Sequence, residues 1–140
     1  MSHGSFRPGK LFRGLLLASI VGMVATAACD DSPSDSGEAE TFTVRTGAET
    51  FRVRVTHAPT IVDLEERRDD GTIGVVIGTL RAGDGGFNAP WSWHLDPGSV
   101  RAVDAAIEVC DGTADMVEAD LEYWLELGQF CPWGAEIVDE

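Results

Sequence analysis

Between residues 90 and 96 the chain reads Pro-Trp-Ser-Trp-His-Leu-Asp, an alternation that leaves few ways to fold. In an extended strand Trp91, Trp93 and Leu95 share one face, and Ser92, His94 and Asp96 share the other. The indoles demand a core on the first side. The second side carries the most compact set of polar, ionisable groups in the chain. Asp96-Pro97-Gly98-Ser99 then has type II turn chemistry, with proline second and glycine third. Beyond it Val103, Ala105, Ile107 and Val109 alternate with Asp104, Ala106, Glu108 and Cys110, which predicts a strand returning beside the first and carrying Glu108 toward His94. The competing pattern makes Asp96 an N-cap and Pro97 the first residue of a helix.

The N-terminus reads as an address. Arg7, Lys10 and Arg13 precede an apolar run from Leu15 to Ala28, too short to span a bilayer comfortably. The run ends Ala25-Thr26-Ala27-Ala28-Cys29, small residues before a cysteine, which resembles the lipobox of bacterial lipoproteins. Residues 1–28 are then a lipoprotein signal peptide and Cys29 is the lipidated first residue of the mature chain. Thr26 stands where that motif usually has leucine, and plain secretion with an Ala-x-Ala cleavage is the other reading. Residues 29–41 form an acidic tether: after the cysteine no apolar side chain exceeds alanine, so the segment cannot bury enough surface to order itself.

Removing the signal leaves seven arginines against 24 acidic residues, a net charge of −17. A body this acidic has no basic stripe for phosphates, which argues against nucleic acid as a partner. Solubility explains the excess most simply, and a cationic partner is the other use for it. Lys10 is the only lysine, so lysine-based covalent chemistry is closed to the mature chain.

Three cysteines leave one over. With Cys29 carrying lipid, Cys110 and Cys131 remain as a pair, and outside the cytoplasm such a pair forms a disulfide. A Cys110–His94 nucleophile pair or a two-cysteine metal site is the alternative, and each requires reduced thiols.

Phe42-to-Thr46 and Thr50-to-Val55 alternate around Gly47-Ala48-Glu49, predicting a β-hairpin with a three-residue loop. Its inner face is Phe42, Val44, Phe51, Val53 and Val55; Arg45, Arg52 and Arg54 form a basic patch outside. Pro59 opens a short helix over 59–68, stopped by Asp69-Asp70-Gly71. Ile73 to Leu80 is apolar on both faces, as a covered central strand must be. Thr113 caps the main helix, 113–127, whose Val117, Leu121, Trp124 and Leu125 face inward and whose outer face is acidic. Gly128 ends it, and 135–138 is a closing strand. The sum is a single α+β domain over 42–140: a small, mainly antiparallel sheet with one main and one short helix packed on it.

Trp91-Ser92-Trp93-His94-Leu95-Asp96-Pro97, Ala106-Ile107-Glu108-Val109-Cys110-Asp111 and Cys131-Pro132-Trp133, in this order, resemble the small secreted domain at the N-terminus of a calmodulin-binding protein. The likeness runs from about Phe42 to Val138. It implies one compact domain in extracellular or lipoprotein settings, and no catalytic activity to carry over. Phe87-Asn88-Ala89-Pro90 departs from that family's Tyr-Asn-Pro-Gly-like lead, and the stretch before Cys131 is shortened. Calmodulin itself is not implied as a partner: its targets are basic helices, and 113–127 is acidic.

The expected function is a monomeric, membrane-tethered lipoprotein of the bacterial envelope, facing outside the cytoplasm. Its domain binds a small ligand, peptide or protein partner without catalysis, metal or cofactor, through Ser92, His94, Asp96 and Glu108. The alternative is a small metal-assisted hydrolase using His94, Asp96 and Glu108. A Ser-His-Asp triad is not supported, because residues two apart on a strand lie in a row roughly 7 Å apart. His94 also has a purely structural reading, bonded to Asp96 or to backbone at a sheet edge.

Overall fold

The computed structural model describes residues 38–139. The expected signal peptide, the expected lipidation site Cys29 and most of the expected tether lie outside the described residues. Seven strands form a curled antiparallel sheet in the order β2-β1-β7-β3-β4, with β5 and β6 also paired to β3. The fold is α+β, mostly sheet.

The hairpin is β1 (Glu40–Thr46) and β2 (Glu49–Val55). Strand pairing therefore takes in Glu40 and Thr41, at the end of the expected tether. Thr46 pairs with Glu49, so the loop has two residues, not three. Gly47 stands at φ 61, the left-handed conformation that a two-residue hairpin loop requires of its first residue. Helix α1 (Ala58–Asp70) opens with Pro59 in its first turn and stops at Gly71, φ 71. Arg67 bonds Asp63, one turn earlier in the same helix, at 2.9 Å and Asp104, 37 residues on, at 3.1 Å. Those partners, Asp63 first, raise the guanidinium pKa further above its ordinary value, against the opposing effect of burial.

Strand β3 (Gly74–Ala82) is the central element, buried on both faces as its composition requires. One edge carries β6 (Gln129–Phe130) and then β7 (Trp133–Val138), and β7 also pairs with β1. The other edge carries β4 (Trp93–Leu95) and β5 (Arg101–Val103). This corrects the expected return strand. Asp96-Pro97-Gly98-Ser99 does turn, with the Ser99 amide donating to the Asp96 carbonyl at 2.9 Å, but the chain resumes in the same direction along the same edge. The reason lies in Thr79. Its carbonyl accepts from the Asp96 amide (2.8 Å) and its amide donates to Ser99 Oγ (2.8 Å), so one residue of β3 holds both sides of the detour. The strand expected as far as Cys110 stops at Val103, and Glu108–Cys110 is a 3₁₀ turn.

The acidic helix is likewise two pieces, α2 (Ala114–Ala119) and α3 (Leu121–Leu127). Asp120 between them has φ −141 and ψ 58, and its carboxylate accepts from the Tyr123 amide to start α3. The Trp124 indole donates to the Met116 carbonyl at 3.1 Å, engaging backbone at the break. The N-cap at Thr113 and the stop at Gly128 stand as expected.

The main core lies on one face of the sheet, where Leu64, Val117 and Trp124 from the helices meet Val44, Phe51, Val53, Val76 and Leu95. Trp93, fully buried, is at its centre, with ring centroids of Phe51 and Phe130 at 5.4 and 5.3 Å. On the other face of β3, Val75 packs with the buried Cys110 and Cys131, which form a disulfide. The thiol-dependent alternatives for Cys110 are thereby closed.

Candidate functional site

The outer face of β4 does not assemble the expected cluster. Ser92 is turned to α2: its amide and its hydroxyl donate to the two oxygens of Glu118, at 2.9 and 2.8 Å. His94 Nδ1 lies 2.6 Å from the Gly83 carbonyl and therefore donates to it, while the ring meets Phe87 edge-on at 5.6 Å. Asp96 accepts from the Gly98 amide within its own turn and pairs with Arg81 at 3.3 Å.

Glu108 is elsewhere. His94 stands opposite Arg81 in β3, whereas Cys110, at the end of the turn that holds Glu108, packs against Val75 and Ile77. Four to six strand residues separate those positions, roughly 13–20 Å. Among the described residues no three His, Cys, Asp or Glu side chains are placed to hold a metal ion. His94, Asp96 and Glu108 thus share no site, because the chain sidesteps at Asp96 instead of doubling back.

The structure builds a different feature from the preceding loop. In a hairpin closed by Thr46 and Glu49, the backbone groups of Thr50, Arg52 and Arg54 point off the free edge of β2. Side chains of the loop engage that edge. Asn88, fully buried, accepts from the Arg52 amide at 2.6 Å and donates to the Trp93 carbonyl at 2.8 Å. The Trp91 indole N–H donates to the Thr50 carbonyl at 2.9 Å. Two outward backbone groups of that edge, the Arg52 amide and the Thr50 carbonyl, are thus satisfied without a further strand, one of the ways a sheet is kept from pairing with another chain.

Asn88→Ala removes both side-chain bonds and leaves a buried donor and acceptor without partners. It is expected to cost about 2–3 kcal/mol of stability, measured by urea denaturation. A loss below about 0.5 kcal/mol, the scatter of ordinary surface changes, would refute the bridging role.

Docking this loop on the hairpin leaves an open cleft of about 540 Å³, within the size range of small-ligand sites. Trp91 and Pro90 form one side, Arg45, Arg52 and Thr43 the hairpin side, and Asp139 the end. The basic patch read from the sequence is therefore divided. Arg45 and Arg52 line the cleft, while the Arg54 guanidinium lies 5.0 Å from the centroid of the Phe87 ring. Neither Asn88 nor Glu118 stands out in the sequence. The signal for Asn88 is an uncharged polar residue between Phe87 and Ala89-Pro90, in a stretch that reads only as a lip over the strand.

A family model, the BP-74 N-terminal domain, matches residues 38–140. The chain belongs to the BP-74 N-terminal domain family. The match takes in every strand and helix described above, and is consistent with the resemblance to the N-terminal domain of a calmodulin-binding protein. No curated protein and no solved structure matches the chain. In this member of the family the cleft is mixed in charge. Arg45 bonds Glu136 at 2.7 Å, both side chains being partly exposed, and Asp139 adds a carboxylate at the end. The indole N–H of Trp91 is already committed to Thr50, so Trp91 offers the cleft its ring and not a donor. A fixed apolar ring beside donor and acceptor side chains suits a ligand with one flat apolar side and polar edges.

Proposed function

We propose that this domain is the binding head of a lipid-anchored protein on the outer side of a bacterial cytoplasmic membrane or beyond it. Cys29 carries the acyl chains, the residues after it are a tether, and the cleft between the hairpin and the 88–91 loop receives a small ligand or a peptide, without catalysis. The observation that carries this reading is the cleft's prior organisation: Trp91 and Asn88 are held by hydrogen bonds to β2 before any ligand arrives. The buried disulfide supports an oxidising compartment.

The test has two arms. Cells fed labelled palmitate should label the wild-type chain and not Cys29→Ser, which should leave the membrane fraction; labelling of neither chain would remove the anchor. The exported Cys29→Ser chain is then titrated with a panel of oligosaccharides and end-blocked tripeptides, reading indole N–H shifts by NMR. A binder should move the Trp91 signal, and Arg52→Ala should weaken it about tenfold, as loss of a charged hydrogen-bonding group does. Binders that leave Trp91 unmoved would overturn the assignment to this cleft, and so would a panel with no binder.

A further inference from the structure

A second cleft, of about 430 Å³, lies at the turn end of the hairpin and shares no residue with the first. Thr46 and Gly47 form one side, Asp111 to Thr113 the opposite side, and Met116 and Trp133 complete it. Three features mark it. Trp133 is 43% exposed and Met116 56% exposed, two large apolar side chains beside the same hollow. Asp111 holds its carboxylate at the cleft by accepting the Trp133 amide at 2.8 Å, which leaves its second oxygen directed away from that bond. Thr46 is 6% exposed, and its hydroxyl has no hydrogen-bond partner.

The charges of the site have one sign. Among the described residues no lysine, arginine or histidine lines the cleft, and the mature chain around it carries −17. At the nearby start of α2 two amides are already taken by side chains: Met116 donates to Thr113 Oγ1 and Asp115 to a Glu49 carboxylate oxygen. An anion would meet the Asp111 carboxylate with no basic side chain among the lining residues to offset it. A cation finds an indole face, a polarizable thioether and a fixed carboxylate, the elements that desolvate and hold an alkylammonium or guanidinium group.

We propose that this cleft is a docking site for a basic side chain, lysine or arginine, presented by a peptide or protein partner. The carbon stem lies along Met116, the charged head meets the Trp133 ring, and Asp111 supplies the counter-charge. The acidic excess of the whole chain raises the local concentration of such partners, and the cleft selects the one side chain that seats. The site stands independently of the first cleft, so failure of either leaves the other to be judged alone.

The experiment uses the exported Cys29→Ser chain and two end-blocked decapeptides, one lysine-rich and the other with every lysine Nε-acetylated. Binding is followed by Trp133 indole shifts, and in Trp133→Leu by the shift of the Met116 methyl signal. The lysine peptide should bind and the acetylated peptide should bind at least about tenfold more weakly. Asp111→Asn keeps an acceptor for the Trp133 amide and removes only the charge; Trp133→Leu removes the ring from an exposed position. Each should weaken binding about five- to tenfold with an unchanged melting temperature. Glu66→Gln, an equal loss of charge on α1, should leave affinity within about twofold. Equal weakening by Glu66→Gln and Asp111→Asn would reduce the effect to general acidity and overturn the site, as would binding of the acetylated peptide with equal affinity or no shift at Trp133.

Discussion

Trp93→Ala is expected to destabilise the domain by about 3–5 kcal/mol, the range for removing a large aromatic from a packed core. Trp93 is wholly buried and touches the rings of Phe51, Phe130 and Trp91, which come from three different segments. No small shift of one strand fills the space it leaves. Each kilocalorie moves the midpoint of a domain this size by roughly 4–8 °C, so a fall of roughly 12–40 °C should appear in a circular-dichroism melt. The indole N–H of Trp93 is buried without a partner. Trp93→Phe should therefore cost much less, under about 2 kcal/mol, because the smaller ring also removes an unsatisfied donor. If the two variants lost equal stability, polar and packing contributions at this position would be assigned wrongly.

The second large effect is at the disulfide. Converting Cys110 and Cys131 together to alanine should lower stability by about 3 kcal/mol, the loop-closure value for a separation of 21 residues. The folded structure changes little in this account, since the Cys131 amide still donates to the Cys110 carbonyl at 2.8 Å and Val75 still packs beside them. The loss arises mainly in the unfolded chain, which regains freedom. Urea titrations of the wild type and the double variant should differ in midpoint and show a larger slope for the variant, whose unfolded chain exposes more surface. Equal midpoints would mean that the bridge adds nothing to a fold already closed by its sheet.

Much of this architecture is legible in the sequence because burial imposes a period. Phe42, Val44, Phe51, Val53 and Val55 alternate and are buried; Val75 and Val76 are adjacent and both buried, as a strand covered on two faces requires. The turns are less legible. Asp96-Pro97-Gly98-Ser99 has the composition of a reversal, yet direction is decided by which partner the chain meets next, and Thr79 offers a sidestep that no local pattern encodes. The break at Asp120 is hidden for a related reason: aspartate fits both the outer face of one helix and the cap of another. The polar face of β4 is visible as a face and invisible as a site. Period two places Ser92, His94 and Asp96 together, but Glu118, Gly83 and Arg81, remote in sequence or backbone in kind, decide what each one does. Asn88 shows the same limit from the other side, since its partners lie in β2 and β4.

The position of β7 has a consequence for the order of events during synthesis. This last strand lies between β1 and β3, so the first hairpin joins the rest of the sheet only through residues 133–138. A nascent chain emerging from the ribosome cannot close this sheet until residues 133–138 have left it, and pairing across that many residues is slow. Until residues 133–138 are available, the hairpin and the central strand have no partner between them, and the sheet stays open.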